Sequence, residues 1–391
     1  MHTSLQVVFW IASGIVIYSY VGYPIILGLI AKLRGKTANS DSAVSESKLP
    51  EEYPFVSIII AAFKEESVIL ERLNNAIQMD YPADRYEVLI GCDGNEDTTG
   101  DLVESFNDSR IKLCQYPQRR GKPSVLNDTV PQAKGDILAF SDANTFWERD
   151  ALKRLVSHFE IKNVGGVCGQ LCLTDPHTGE NVDGMYWKYE NVLKRWEGQI
   201  GALLGVNGAI YAIRKDLWEP IPANSIVDDF LIGMRIHLKG LALLFDEKAI
   251  ANEESAPSIG AEFHRRARIG AGGFQSLCWL SSLLSPKYGY TAFAFWSHKV
   301  ARWLCPAFLA TAFVVKPVLD QSTHVSSKHD PSMLLLRNST GWEILGGQRK
   351  SNAFDSIDYN VHGHEFSTLR RFLEMGKQPT IRSLETNRET S

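Results

Sequence analysis

Cysteine is sparse in this chain: six of 391 residues, of which only Cys168 and Cys172 lie close together, in Val167-Cys-Gly-Gln-Leu-Cys-Leu173. No Cys or His pair at zinc spacing accompanies them, which excludes a local zinc module. Their even offset along a strand puts both thiols on one face, as ordinary buried thiols in a reducing compartment. A charge excess is missing too. Forty-one basic against forty-five acidic residues leave a net charge of -4, so no overall basic surface offers itself to nucleic acid and any anion site must be local. No internal repeat is present. No Gly-x-Gly-x-x-Gly follows the first apolar strand, which counts against a dinucleotide enzyme.

Between Leu5 and Ala31 charge is absent altogether. At ~1.5 Å rise per residue this run is long enough to cross a ~30 Å hydrocarbon core. The competing reading, a signal peptide, lacks a basic n-region in Met1 to Ser4. Lys32, Arg34 and Lys36 follow at once, and by the positive-inside tendency they place what comes after in the cytosol and the amino terminus outside.

What is present is a chain of 44% hydrophobic and 22% charged residues, enough for one large α/β domain with appendages. Residues 1–36 read as a transmembrane anchor and 37–53 as a Ser-, Asp- and Glu-rich linker. From Pro54 the apolar run Val56-Ser-Ile-Ile-Ile-Ala61 predicts a strand, and Leu70, Leu73 and Ile77 a helix. Strand Tyr86–Gly91, helix Leu102–Phe106, strand Ile111–Cys114, helix Val125–Val130 and strand Asp136–Ser141 continue the alternation. Such alternation implies a mostly parallel sheet flanked by helices. Beyond Glu160 the pattern is less regular, with an amphipathic stretch Asp183–Gln199, a turn Gly205-Val-Asn-Gly208 and a helix opening at Asp228. This half is expected to hold an acceptor subsite. Residues 54–284 form the domain. Residues 285–317 read as an interfacial helix running into the start of a membrane segment, and 318–391 as a polar tail.

Open parallel sheets bind ligands beyond the carboxyl ends of their strands, and there the polar residues fall. Phe63 and Glu65 follow the first strand, and Asp93 ends the second, as a ligand for a nucleobase or as a turn residue. Asp142 and Asn144 in Ser141-Asp-Ala-Asn144 suit a hard divalent cation, or an N-cap before a helix Trp147–His158. Lys122 in Arg119-Arg-Gly-Lys122 suits phosphate oxygens, or a solvated turn. Asp228 and Asp229 form a carboxylate pair able to supply a general base, or cap a helix. Arg265 and Arg268, three apart in His264-Arg-Arg-Ala-Arg268, share a helix face suited to a departing diphosphate, or to solvent or lipid headgroups.

Their order is more telling than any one motif. The succession Ala61-Ala-Phe-Lys-Glu-Glu66, Asp93, Gly121-Lys122 to Asn127, Asp142-Ala-Asn144, Asp228-Asp229 and Arg265 to Arg268 resembles family 2 glycosyltransferases with the GT-A fold. Within them it is similar to the membrane-embedded branch containing cellulose and hyaluronan synthases. The resemblance covers Pro54 to Leu284 and the flanking membrane segments. It implies an inverting transfer of sugar from a nucleotide-diphospho-sugar, commonly a UDP-sugar, to a saccharide or lipid-linked acceptor in cell-surface glycan synthesis. It also implies a plasma or inner membrane location with a cytosolic catalytic domain, contact with membrane lipid, and other synthase subunits as partners.

Carried over by position, the resemblance gives Phe63, Glu65 and Asp93 to the nucleobase and ribose, and Lys122 to the phosphates. Asp142 and Asn144 go to Mg2+ or Mn2+, Asp229 with Asp228 beside it to the base, Arg265 and Arg268 to the diphosphate, and Gly205 and Asn207 to the acceptor. Departures are specific. Lys64 stands for the usual Asn, Asn144 for the second Asp of Asp-x-Asp, and Arg265 and Ile269 for the Gln and Trp of Gln-x-x-Arg-Trp, which puts processivity in question. The tail from Val318 replaces several expected helices, as truncation or a frameshifted end would leave it. Asn144 and the missing helices also motivate the alternative of a catalytically weak nucleotide-sugar-binding membrane subunit of a glycan synthesis complex.

Overall fold

A computed structural model describes residues 2–41, 52–175, 178, 181, 184–255 and 259–327. Most of the predicted linker, and the tail from residue 328, lie outside the described residues. Helices α1 (His2–Ile17) and α2 (Tyr23–Asp41) are joined by a π-helical turn, Tyr18–Gly22. The helical run Ser4–Arg34, in which an 18-residue stretch has a mean hydropathy of 1.8, is long and apolar enough to cross a membrane. Trp10, Ile11, Ile25, Leu29 and Leu33 along it are exposed. By their internal contacts the residues divide into two units: those up to Tyr18 with those from Leu304, and Ser19–Trp303. The first unit is helical in its described residues.

The second unit is built on β1 (Val56–Ala62), α3 (Ile69–Ile77), β2 (Tyr86–Asp93), α4 (Thr99–Ser105), β3 (Ile111–Tyr116), α5 (Lys122–Thr129) and β4 (Ile137–Asp142). Residues along β1 and β2 are buried with hardly a break rather than in an in-out alternation, and the buried Ser57 and Glu87 among them bond each other. Such continuous burial is what a parallel sheet covered on both faces requires. The order β3-β2-β1-β4 is parallel throughout. The chain therefore reverses its direction of travel at β1, leaving a crevice at the carboxyl ends of β1 and β4, where Ala61 pairs with Asp142. Close packing of α5 on β2 needs Gly91, where a Cβ would fall 2.5 Å from Val125.

The second half adds β5 (Thr145–Trp147), α6 (Ala151–Ser157), β6 (Val164–Thr174), α7 (Met185–Gln199), β7 (Tyr211–Arg214), α8 (Asp228–Leu238) and β8 (Ala242–Glu254). It extends the sheet to eight strands in the order β3-β2-β1-β4-β7-β6-β8-β5, with β7 antiparallel to both neighbours and β5 antiparallel to β8. The reading of a helix from Trp147 is corrected here. Trp147 ends a strand because both its backbone groups bond the Asn75 side chain and its indole donates to the Ala209 carbonyl. The helix begins at Ala151 instead. After α9 (Ile259–Trp279) and α10 (Tyr290–Ala294), a π-helical segment Phe295–Val300 leads into α11 (Ala301–Ser327). That helix runs ten residues beyond Pro317, where the sequence pattern alone places the change to a polar tail.

Candidate active site

The crevice is lined by charge that the apolar strands cannot hold in their own interior. Asp142, the last residue of β4, points its Oδ1 at Lys122 Nζ, 2.5 Å away, and Lys122 also lies 3.7 Å from Asp228 Oδ2. Lys122 opens α5 directly after Gly121, whose φ of 87° turns the chain toward the cluster. Burial acts to lower the Lys122 ammonium, but Asp142 and Asp228 outweigh it and hold it above its ordinary value. The solvated-turn reading of Lys122 therefore does not describe this residue.

Asp228 and Asp229 begin α8, yet neither caps it in the usual way: Val227 is the N-cap and no side-chain cap bond forms. Asp229 accepts from Gly208 N–H through Oδ2 at 2.9 Å and from Phe230 N–H through Oδ1 at 2.8 Å. Burial first, and then the neighbouring Asp228 charge, push the Asp229 carboxyl up to about 6, against the opposing pull of Lys122. A carboxylate fixed by two backbone donors and tuned toward neutrality has the properties of a general base. Asp228 Oδ2 is buried without a hydrogen-bond partner.

Gly208 occupies the middle of this arrangement. A Cβ placed there would lie 3.3 Å from Asp142 Oδ2 and 3.4 Å from both Asp229 Oδ2 and Lys122 Nζ, so the missing side chain keeps open the space these three groups face. The preceding loop carries Gly205, at φ 83°, where a Cβ would collide with Phe230 at 2.5 Å, and Asn207. Lys194 donates to Asn207 Oδ1 at 2.9 Å, which fixes the amide and leaves its buried Nδ2 without a partner.

The remaining expected residues each have partners of their own. Asn144 sits in the turn between β4 and β5 and donates to Glu253 Oε1 at 3.4 Å, because Thr145 pairs with Glu253 across β5 and β8. Glu253 is raised by burial and by Asp142, and lowered by Arg265, which marks all three as neighbours. Glu65 is likewise raised by burial, then by Asp142 and Asp97. Arg265 is held by both oxygens of Glu262, whereas Arg268 reaches the Ile226 carbonyl at 3.4 Å. Asp93 plays a backbone role: its two oxygens accept from Arg120 and Gly121 N–H, each at 2.7 Å, holding the basic loop that delivers Lys122. Arg119 from that loop lies 4.1 Å above the Phe63 ring.

Asp142 faces the open space at Gly208, and Asn144 and Glu253, bonded to each other, add hard oxygen donors two residues along and across the strand pair, a donor set of the type that suits a divalent cation. Among the described residues no three His, Cys, Asp or Glu side chains converge to cage a metal. A cation here would thus take much of its coordination from water and phosphate, as Mg2+ does. Glu253, Gly208 and Lys194 escape the sequence reading. Only Gly208 carried a local signal, the turn Gly205–Gly208; Glu253 is brought in solely by strand register.

Lys64 has a φ of 57°, in the left-handed region, where a non-glycine residue costs ~1–2 kcal/mol and Asn is best tolerated. Its exposed ion pair with Glu96, at 2.8 Å, returns ~0–1 kcal/mol. Lys64→Asn is therefore expected to raise the melting temperature by about 1–2 °C. A fall in calorimetry would assign the larger effect to the ion pair.

Residues 54–272 match the profile of glycosyltransferase-like family 2, more than half of the chain. The chain belongs to glycosyltransferase family 2. Its GT-A architecture is shared with a mannosyltransferase from Pyrobaculum calidifontis solved with GDP-Man and Mn2+, at a TM-score of 0.64 and 21% identity over 84% of this chain and 92% of that one. Among curated proteins, this family 2 chain is 28% identical over 239 residues to a beta-monoglucosyldiacylglycerol synthase of Synechocystis sp., covering 57% of this chain and 48% of that protein. It is 23% identical over 230 residues to a poly-beta-1,6-N-acetyl-D-glucosamine synthase of Staphylococcus epidermidis, covering 57% and 55%. The chain thus spans about half the length of the curated relatives it matches.

Proposed function

We propose that this family 2 protein is an inverting glycosyltransferase that moves a sugar from a nucleotide-diphospho-sugar to a saccharide or lipid-linked hydroxyl, on the cytosolic side of a membrane that the helix Ser4–Arg34 enters. The observation that carries the proposal is Asp229. It is a carboxylate raised to about 6, facing an open space beside Asp142 and Lys122 at the carboxyl end of a parallel sheet.

Asp229 takes the proton of the acceptor hydroxyl, whose oxygen attacks the anomeric carbon from the face opposite the diphosphate. Gly208 and Phe230 N–H keep the carboxylate aimed during this transfer. Asn207 Nδ2 orients the acceptor, and Phe63 with Arg119 packs against the base. Lys122, Arg265 and Arg268 offset charge on the departing nucleoside diphosphate. A divalent cation bound at Asp142 with Asn144 would supply further charge neutralisation there.

The base must be ionised to act. Since Asp229 titrates near 6, the inactive protonated form accumulates as pH falls through that value. The expected kcat/KM for the donor is flat above it and falls about tenfold per unit below it. A limb at about 4, the ordinary aspartate range, would remove the tuned base.

The function is tested by incubating detergent-solubilised full-length protein with Mg2+ or Mn2+ and a panel of radiolabelled UDP- and GDP-sugars, then sizing any product. Labelled product with released nucleoside diphosphate supports the proposal. One added sugar indicates single transfer and a ladder indicates polymerisation. Binding of nucleoside diphosphate without turnover of any donor would instead favour a nucleotide-sugar-binding subunit.

A further inference from the structure

Outside the crevice, a buried charged cluster is centred on Glu197 of α7, 1% exposed. Its Oε1 accepts from the Tyr23 hydroxyl of α2 at 2.7 Å and lies 2.6 Å from His298 Nδ1, in the π-helical segment after α10. Its Oε2 accepts from Leu204 N–H at 3.3 Å. Two turns earlier, Glu190 pairs with Arg302, which also donates to the Tyr189 hydroxyl at 2.8 Å. Tyr189 in turn donates to the Tyr20 carbonyl at 3.1 Å. One helix thus ties together a segment preceding the catalytic sheet and a segment following it.

A buried carboxylate without partners costs several kcal/mol, so such a group persists only where donors surround it. Burial alone would raise the Glu197 carboxyl, but His298, Lys299 and the Tyr23 hydroxyl outweigh it and keep the group below its ordinary value. Both flanking segments are wound as π-helix where they meet α7, Tyr18–Gly22 just before Tyr23 and Phe295–Val300 around His298. Such turns are rare and are often kept at functional positions. Gly28 lets α2 approach closely, since a Cβ there would lie 3.2 Å from the Trp196 ring.

The third partner of Glu197 gives the cluster its consequence. Leu204 begins the loop that ends at Gly208, the residue whose N–H holds Asp229. His237 of α8 fixes the Leu203 carbonyl of the same loop at 2.8 Å, and Lys194, one turn before Glu197, fixes Asn207. We propose that Glu197 is a positioning residue: by binding Tyr23, His298 and Leu204 N–H together, it sets the 203–208 loop, so that Asp229 is held in place only when the two flanking helical segments are docked on α7. Catalytic competence then depends on assembly of the segments that border the catalytic domain.

The inference rests on Asp229 being the base, but its first readout does not need activity. Hydrogen–deuterium exchange of the full-length protein in detergent is compared for the wild type, Glu197→Gln and Tyr23→Phe, the latter keeping the ring and removing one bond. Exchange across residues 203–208 is expected to rise about 10-fold in both variants, as for loss of a hydrogen bond to a charged group, with β1 to β4 unchanged. With a donor in hand, kcat should fall about 10-fold while UDP or GDP binding stays within about twofold. Unchanged loop exchange, or exchange rising equally across the catalytic sheet, overturns the inference. If no nucleotide sugar is turned over by the wild type, the proposed function fails while a selective rise in loop exchange still supports the positioning role.

Discussion

Asp229→Asn is expected to lower sugar transfer by about 10²- to 10⁴-fold, the usual loss for a general base, while nucleoside diphosphate still binds. The amide is nearly isosteric, and its oxygen can keep the bond from Gly208 N–H that now falls on Asp229 Oδ2, while the bond that Phe230 N–H gives to Oδ1 is lost. What it lacks is the ability to take a proton. The fold should tolerate the change, because burial and Asp228 already make ionised Asp229 unfavourable. Neutralising it relieves the repulsion from Asp228, which offsets the bond lost from Phe230 N–H. Calorimetry should therefore show a melting temperature at or above that of the wild type, and titration with UDP or GDP an affinity within a few-fold. Transfer at more than about a tenth of the wild-type rate would remove Asp229 from the role.

Lys122→Met carries the second large effect. The side chain is matched in length, but the ammonium that now lies between Asp142 and Asp228 is gone. Two consequences follow from that single charge. Transfer at neutral pH should fall by about 10²- to 10³-fold, as for removal of one preorganised group facing transition-state charge. The acidic limb of the pH profile should also move upward, because Lys122 is the charge that pulls Asp229 down, leaving the Phe230 N–H bond to do so. A role confined to salt-bridge stability gives a different pattern: a lower melting temperature with an unchanged limb and normal turnover per folded molecule. Divalent-cation affinity should not fall, since the ammonium no longer competes for Asp142.

The first half of the sheet is legible in the sequence because its strands are buried on both faces. Val56 to Ala62 and Tyr86 to Asp93 are mostly apolar and buried with hardly a break, and the helices between them show their own period. Legibility fades where long-range pairing decides. Trp147 lies in a stretch that suits a helix, yet Asn75 and Ala209 hold it in a strand. Glu253 has no local signal, and only the pairing of Thr145 with it puts it beside Asn144. Asp93 is legible as a polar residue at a strand end, whereas the bonds its oxygens accept from Arg120 and Gly121 N–H join it to a loop that no local spacing reveals. The Glu197 cluster is scattered over residues 20 to 302 and has no signature that spacing along one element could reveal.

Direct displacement at the anomeric carbon is the centre of the proposed function, and it leaves a stereochemical record. Proton NMR of the first product formed from an α-linked nucleotide sugar reads that record from the anomeric coupling, before any mutarotation. A β-linked product is the expected result, because attack assisted by Asp229 comes from the face opposite the diphosphate. An α-linked product, retaining the donor configuration, would contradict it.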